Sequence, residues 1–173
     1  MSIREIRFLG DEVLRMPGEA VSEFDDDLRT LVKDMFETMY HAEGIGLAAP
    51  QIGLSLRLCV LDVQEDDANS DTRRLALVNP EVVRTSRETD KETEGCLSIP
   101  GLEEFVTRPA GVTVRAKDPD GEPIEVEAEG LLARALQHEL DHLNGILFID
   151  RVSPLKRRIL LKKWKKIQEE ERG

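Results

Sequence analysis

The chain has 173 residues, 40% of them hydrophobic and 34% charged, which suits one ordinary globular domain with a real core spanning residues 1–173. Two cysteines and the lack of a charged-then-apolar N-terminal segment argue against secretion and a disulfide framework, and no apolar run approaches membrane-spanning length. A cytoplasmic protein with no membrane or DNA partner is expected.

From Asp25 onward, Leu28, Leu31, Val32, Met35, Phe36, Met39 and Tyr40 recur at helical spacing. The acidic run Asp25-Asp26-Asp27 suits the positive end of a helix dipole, and Gly44 marks the stop, so this stretch predicts a core-facing amphipathic helix. His41 falls in its last turn, where the dipole alone explains a histidine. The next segment, Gly44 to Gly53, is rich in glycine. Its backbone, at Gly44, Ile45 and Gly46, can approach a substrate closely and offer an edge for a peptide to pair against. Gln51, taken alone, is an ordinary loop amide.

Strand-like runs follow at Leu56 to Val63, Leu75 to Asn79, Val112 to Ala116 and Ile124 to Ala128. Cys59 sits within the first, where a cysteine packs as a small hydrophobe. The acidic stretch Glu65 to Asp71 reads as a hairpin tip, and Asp118-Pro119-Asp120-Gly121 as a turn between the last two runs. A helix is expected after Gly130, closed by Asn144-Gly145, and a final helix begins at Ser153-Pro154 by N-cap and first-turn preferences. The sum is an α+β fold in which strands wrap a central helix, with a further C-terminal helix.

The central helix carries His138-Glu139-Leu140-Asp141-His142. Side chains four apart on a helix lie one above the other, so His138 and His142 can hold one metal ion with Glu139 alongside as a proton-handling carboxylate. A catalytic ion needs a third protein ligand and an open position for water. The residues after His142 are apolar up to Phe148, and Glu169, Glu170 and Glu171 belong to a charged tail. Cys96, in Glu94-Gly95-Cys96-Leu97-Ser98, is the better candidate, because thiolate binds such ions strongly and the flanking glycine and Pro100 suit a tight loop. The same helix divides into two stripes. Leu132, Leu136, Leu140 and Leu143 form a core stripe, while Leu131, Ala135, His138 and His142 put apolar wall beside the ligands. A pocket there would take an unbranched apolar side chain such as methionine, with Ile45 and the stem of Arg134 as further walls.

The segments GIGLAAPQIG (Gly44 to Gly53), EGCLSIP (Glu94 to Pro100) and QHELDHLNGILF (Gln137 to Phe148), in this order, resemble the three signature motifs of the peptide deformylase family, and the likeness extends over nearly the whole chain. That resemblance implies removal of the N-formyl group from the formylmethionine of newly synthesised polypeptides, with release of formate. It implies one Fe2+ per chain, which Zn2+, Ni2+ or Co2+ can replace, held by Cys96, His138 and His142. Glu139 is then the proton carrier, and the Gln51 amide and the Leu97 N–H are the donors to the developing oxyanion. One departure stands out. Gly101-Leu102-Glu103-Glu104-Phe105 is acidic where some family members carry a basic residue that contacts substrate. Arg108 is expected to pair with either Glu94 or Asp141.

Three other readings compete: an HExxH-type metallopeptidase, a non-catalytic metal or peptide-binding module, and a thiol hydrolase with Cys96 as nucleophile. The first wants a third ligand downstream of His142, and the second would be signalled by loss of Glu139 or Gln51, both of which are present. Finally, the chain's charge is asymmetric. From Arg151 onward, nine basic and three acidic side chains give +6 against a total of −11, leaving −17 for residues 1–150. Leu155, Ile159, Leu160, Trp164 and Ile167 supply an apolar docking side, which turns the lysines outward. By the same resemblance, this basic helix, residues 154–171, is expected to bind ribosomal RNA near the exit tunnel, where the substrate emerges.

Overall fold

The computed structural model describes residues 2–64 and 73–172. The expected hairpin tip at Glu65 to Asp71 lies outside them.

Helix α1 spans Asp26–His41, and the Asp25 carboxylate caps it by accepting the Leu28 N–H at 3.0 Å. It buries Leu28, Leu31, Val32, Met35, Phe36 and Met39. Tyr40 does not join them. It is 45% exposed, and its hydroxyl donates to Asp62 at 2.5 Å, because a phenol at a core edge keeps its polar end where it finds a partner. The helix stops one residue earlier than the glycine signal suggests: Glu43 takes the left-handed conformation (φ 59°), and Gly44 is needed for space instead. A Cβ at Gly44 would lie 2.7 Å from Leu97 Cδ1.

Strands β1 (Gly46–Ala48), β2 (Leu58–Val63), β3 (Arg73–Thr85), β6 (Gly111–Lys117) and β7 (Pro123–Glu129) form an antiparallel sheet in the order β1-β2-β3-β6-β7. Strand β3 runs past Asn79, where the Asn-Pro pair reads as a stop. The register shifts there, Asn79 adopts φ 52°, and its side-chain amide exchanges two hydrogen bonds with the Val21 backbone, so the interruption is a bulge. Strands β4 (Thr89–Gly95) and β5 (Glu103–Pro109) form a separate two-stranded ribbon that the sequence pattern does not reveal. Along β4 only the Glu94 side chain is buried, so there is no hydrophobic alternation to read.

Helix α2 (Gly130–Leu143) lies against β1, β2, β6 and β7 and also touches β5. Its stripe of Leu132, Leu136, Leu140 and Leu143 packs into the sheet core with Cys59, Leu61, Leu77, Val114 and Val126, as expected. Each such leucine contributes roughly 1.5–3 kcal/mol by leaving water. A 3₁₀ turn, Phe148–Arg151, leads to helix α3 (Pro154–Arg172). α3 docks through Leu160 and Trp164, with Leu161 and Ile167 partly buried, against Ile99, Leu102, Phe148 and Ile149, and the Trp164 indole N–H donates to the Leu9 carbonyl at 3.2 Å. Leu155 and Ile159 do not take part in docking. They are 65% and 45% exposed, because at about 100° per residue they fall on a different side of the helix from Leu160, Trp164 and Ile167.

Candidate metal centre and active-site cavity

Three donor atoms converge where α2 meets the segment that joins β4 to β5. The His142 Nε2 atom lies 3.2 Å from His138 Nε2 and 3.4 Å from Cys96 Sγ, and all three donors fall within 4.8 Å of one another. Tetrahedral ligands at metal–nitrogen distances near 2.0–2.1 Å and a metal–sulfur distance near 2.3 Å stand roughly 3.3–3.6 Å apart along each edge. The observed edges therefore fit one shared ion. The electrostatics agree. Burial opposes a charge on His138, yet its hydrogen bonds to Cys96 and Glu94 prevail and lift it to about 10, so the site already favours a cation among these groups. His142, fully buried next to His138, is held well below its ordinary value.

A layer of buried charge supports the ligands. Glu94 Oε1 lies 2.9 Å from His138 Nδ1, while Arg108 donates to both Glu94 oxygens at 2.5 and 2.9 Å and Arg134 Nη1 donates at 2.6 Å. Burial alone would raise the Glu94 carboxyl. The bonds from His138 and Arg108 instead bring it to about 2, leaving it ionised throughout the working range. Arg108 does not choose between its two expected partners. It holds Glu94 and also donates through Nη1 to Asp141 at 2.9 Å.

Beside the ligands, Glu139 is buried, and its Oε2 atom has no hydrogen-bond partner among the described residues. Burial pushes its carboxyl up to about 7. Gly46 makes this placement possible, because a Cβ there would sit 3.0 Å from the Glu139 carboxylate. Gln51 is buried in the 3₁₀ turn Ala49–Ile52; its Oε1 accepts the Ala48 N–H at 2.9 Å, and its Nε2 donates to Ser98 Oγ at 3.1 Å and faces Cys96 Sγ at 3.6 Å.

A cavity of about 580 Å³ opens over this group. Gly44, Ile45, Gly46, Gln51, Cys96, Leu97, Leu131, Arg134, Ala135, His138 and Glu139 all line it; His142, the remaining residue given a catalytic, metal or substrate role from the sequence, is fully buried and outside the lining, although its Nε2 meets Cys96 and His138. Leu131 is 46% exposed, and that marks it as cavity wall, apart from the core stripe. Arg134 does more than supply an apolar stem, for its guanidinium is spent on Glu94 and on the carbonyls of Val106 and Asp90. Cys59 is fully buried in β2, where burial pushes its thiol well above the ordinary value, and exposed His41 stands outside the cluster. Sequence reasoning missed Ser98, the anchor of Gln51, and Phe148, whose ring lies 6.3 Å from that of His138 at 23°. Both fall inside the motifs already quoted, but only folding sets their orientation.

The family model described as Polypeptide deformylase matches residues 3–158. A Peptide deformylase of Natranaerobius thermophilus is 55% identical over 151 residues, covering 87% of this chain and 93% of that protein. One from Acidobacterium capsulatum is 52% identical over 169 residues and 97% of each chain. Among solved structures, a peptide deformylase from Legionella pneumophila superposes with a TM-score of 0.88 at 48% identity, covering 98% of this chain and 97% of its own. The Ehrlichia chaffeensis enzyme in complex with actinonin gives 0.91 at 38% identity over the full length of both chains.

Proposed function

This chain belongs to the polypeptide deformylase family, and from that premise we propose that it removes the N-formyl group from the N-terminal formylmethionine of newly synthesised proteins, as a metal-dependent hydrolase. The observation that carries the reading is the convergence of Cys96 Sγ, His138 Nε2 and His142 Nε2 at a cavity that Glu139 also lines, with a buried Glu139 oxygen that has no partner among the described residues. A divalent ion at the three donors supplies Lewis-acid polarisation of the formyl oxygen and a more acidic water.

The chain's own residues do the rest. Glu139, a residue of the cavity wall whose carboxyl is pushed up to about 7, accepts a proton from the attacking water and returns one to the departing amine; the formamide C–N bond breaks, giving formate and a free N-terminus. Gln51 and the Leu97 N–H stabilise the oxyanion, an assignment supported by the position of the Gln51 amide between Cys96 and Ser98. Leu131 and Ala135 receive the methionine side chain, and Gly44, Ile45 and Gly46 offer a backbone edge at the cavity rim. Residues 1–173 act as a single catalytic domain.

The metal we assign is Fe2+, since a thiolate and two imidazoles suit iron as well as zinc, and the family resemblance favours iron. The substrate is met at the ribosome, through the exposed Lys162, Lys163, Lys165 and Lys166 of α3. Work in the cytoplasm accords with this, and no described helix is long and apolar enough to cross a membrane. The test is formate release from formyl-Met-Ala, with metal analysis of the same sample. One ion per chain and chelator-sensitive turnover are expected. Turnover that survives metal removal would favour Cys96 as a nucleophile, and cleavage of internal peptide bonds would favour a metallopeptidase.

A further inference from the structure

The turn Phe148–Arg151 reaches His138 by two routes. Phe148 lies against the imidazole face. Arg151 works at a distance: its Nε and Nη2 donate to the two oxygens of Asp141 at 3.0 and 2.7 Å. Asp141 stands next to His142 on α2, is 8% exposed, and also accepts Arg108 Nη1 at 2.9 Å. The remaining donors of Arg108 hold Glu94, which in turn holds His138 Nδ1. Arg151, Asp141, Arg108, Glu94 and His138 thus form one continuous chain of charge-assisted hydrogen bonds from the surface to a ligand.

We propose that Arg151 is a positioning residue for the metal centre. By satisfying Asp141 from outside, it leaves Arg108 committed to Glu94, and so keeps the Glu94 carboxylate on His138. The reason lies in the demands of buried charge. A carboxylate as buried as Asp141 needs a cation, and without Arg151 the only one left in contact with it among the described residues is Arg108. One guanidinium would then serve two carboxylates and be drawn toward Asp141. Arg134 already gives Nη1 to Glu94, and Nη1 and Nη2 also hold the Val106 and Asp90 carbonyls, which anchors its guanidinium where it is and away from the place of Arg108. His138 would lose part of the contact that sets its ring orientation and its strength as a ligand. The Arg151 side chain is itself 45% exposed, so replacing it opens no core cavity.

This inference rests on Cys96, His138 and His142 holding a metal ion, and its test reads metal affinity rather than turnover. Zinc binding to the full-length protein is measured by competition with a chromogenic chelator for wild type, Arg151→Gln, Glu94→Gln and the double variant, with Asp141→Asn as a second background should Glu94→Gln fold poorly. Direct partners of metal-ligating histidines shift affinity by about 10–100-fold, so Arg151, three contacts beyond the direct partner Glu94, is expected to loosen zinc by about 3–10-fold. In the Glu94→Gln or Asp141→Asn background, Arg151→Gln should add nothing, because the route through Arg108 is already broken. Unchanged affinity in Arg151→Gln, or an equal loss in every background, overturns the proposal. A wild type that fails to bind zinc at one ion per chain would instead overturn the metal site itself.

Discussion

Cys96 and Cys59 are the same side chain in opposite settings. One stands beside two imidazoles at a cavity wall, the other among aliphatic residues in β2. Cys96→Ala is therefore expected to give folded protein that has lost metal and activity, whereas Cys59→Ala keeps both; metal analysis beside formate release checks this, and a metal-replete, active Cys96→Ala would remove the thiolate from the site. Glu139 offers no atom to the ligand set, so Glu139→Gln should retain metal and lose roughly 10²–10⁴ in kcat, the range typical of a lost general acid–base. Near-normal turnover at matched metal content would deny it the proton. Glu139 could be singled out in the sequence because its place between two histidines on a helix is a local property, whereas Cys96 lies outside that helix and meets the histidines only in the fold. The burial that lifts Glu139 toward 7 was not legible either, because it arises from chain segments far away in sequence.

At the scale of elements, α2 presents one face to the core and another to the cavity. If Leu131 and Ala135 receive methionine, Ala135→Phe should fill the cavity and lower kcat/KM for formyl-Met peptides far more than it lowers metal content. Equal kinetics would make that stripe mere packing. Helix α3 divides likewise, with Leu160 and Trp164 inward and four lysines outward. Charge reversal at Lys162, Lys163, Lys165 and Lys166 is expected to weaken ribosome co-sedimentation at low salt while a short free peptide is still deformylated. Sedimentation equal to wild type would leave α3 as a cover on the core. The periodicity of both helices was readable in advance. What it did not disclose was which of Leu155, Ile159, Leu160, Trp164 and Ile167 would find a partner, since Leu155 and Ile159 are as apolar as the rest but turn to a different side of the helix.

Across the whole molecule, the N-terminal segment is tied down by Asp34, which accepts the Ser2 N–H at 2.9 Å and the Arg4 guanidinium at 2.9 and 3.0 Å. The Ser2 bond, and then Arg4, hold the Asp34 carboxyl below its ordinary value. A carboxyl lowered on folding stabilises the native state above its unfolded value and ceases to do so as pH falls through the folded one. Asp34→Asn should thus lower the melting temperature at pH 7 by at least about 2–4 °C, the shift typical of 1 kcal/mol at this size, and the gap to wild type should close below about pH 4. A gap independent of pH would mean that the carboxylate's charge plays no part. The helices and most of the main sheet are written in the chain's periodicity, and the pairing of His138 with His142 in their spacing of four; that Cys96, 46 positions from His142, comes within 3.4 Å of it is not. Only the tertiary structure decided the β4–β5 ribbon, whose polar strands carry no alternation, and the sharing of Arg108 between Glu94 and Asp141, which joins residues 33 positions apart. The physical reason is common to both. Hydrogen bonds between distant segments leave no period in the chain, and buried charges choose their partners only when the fold has removed the water around them.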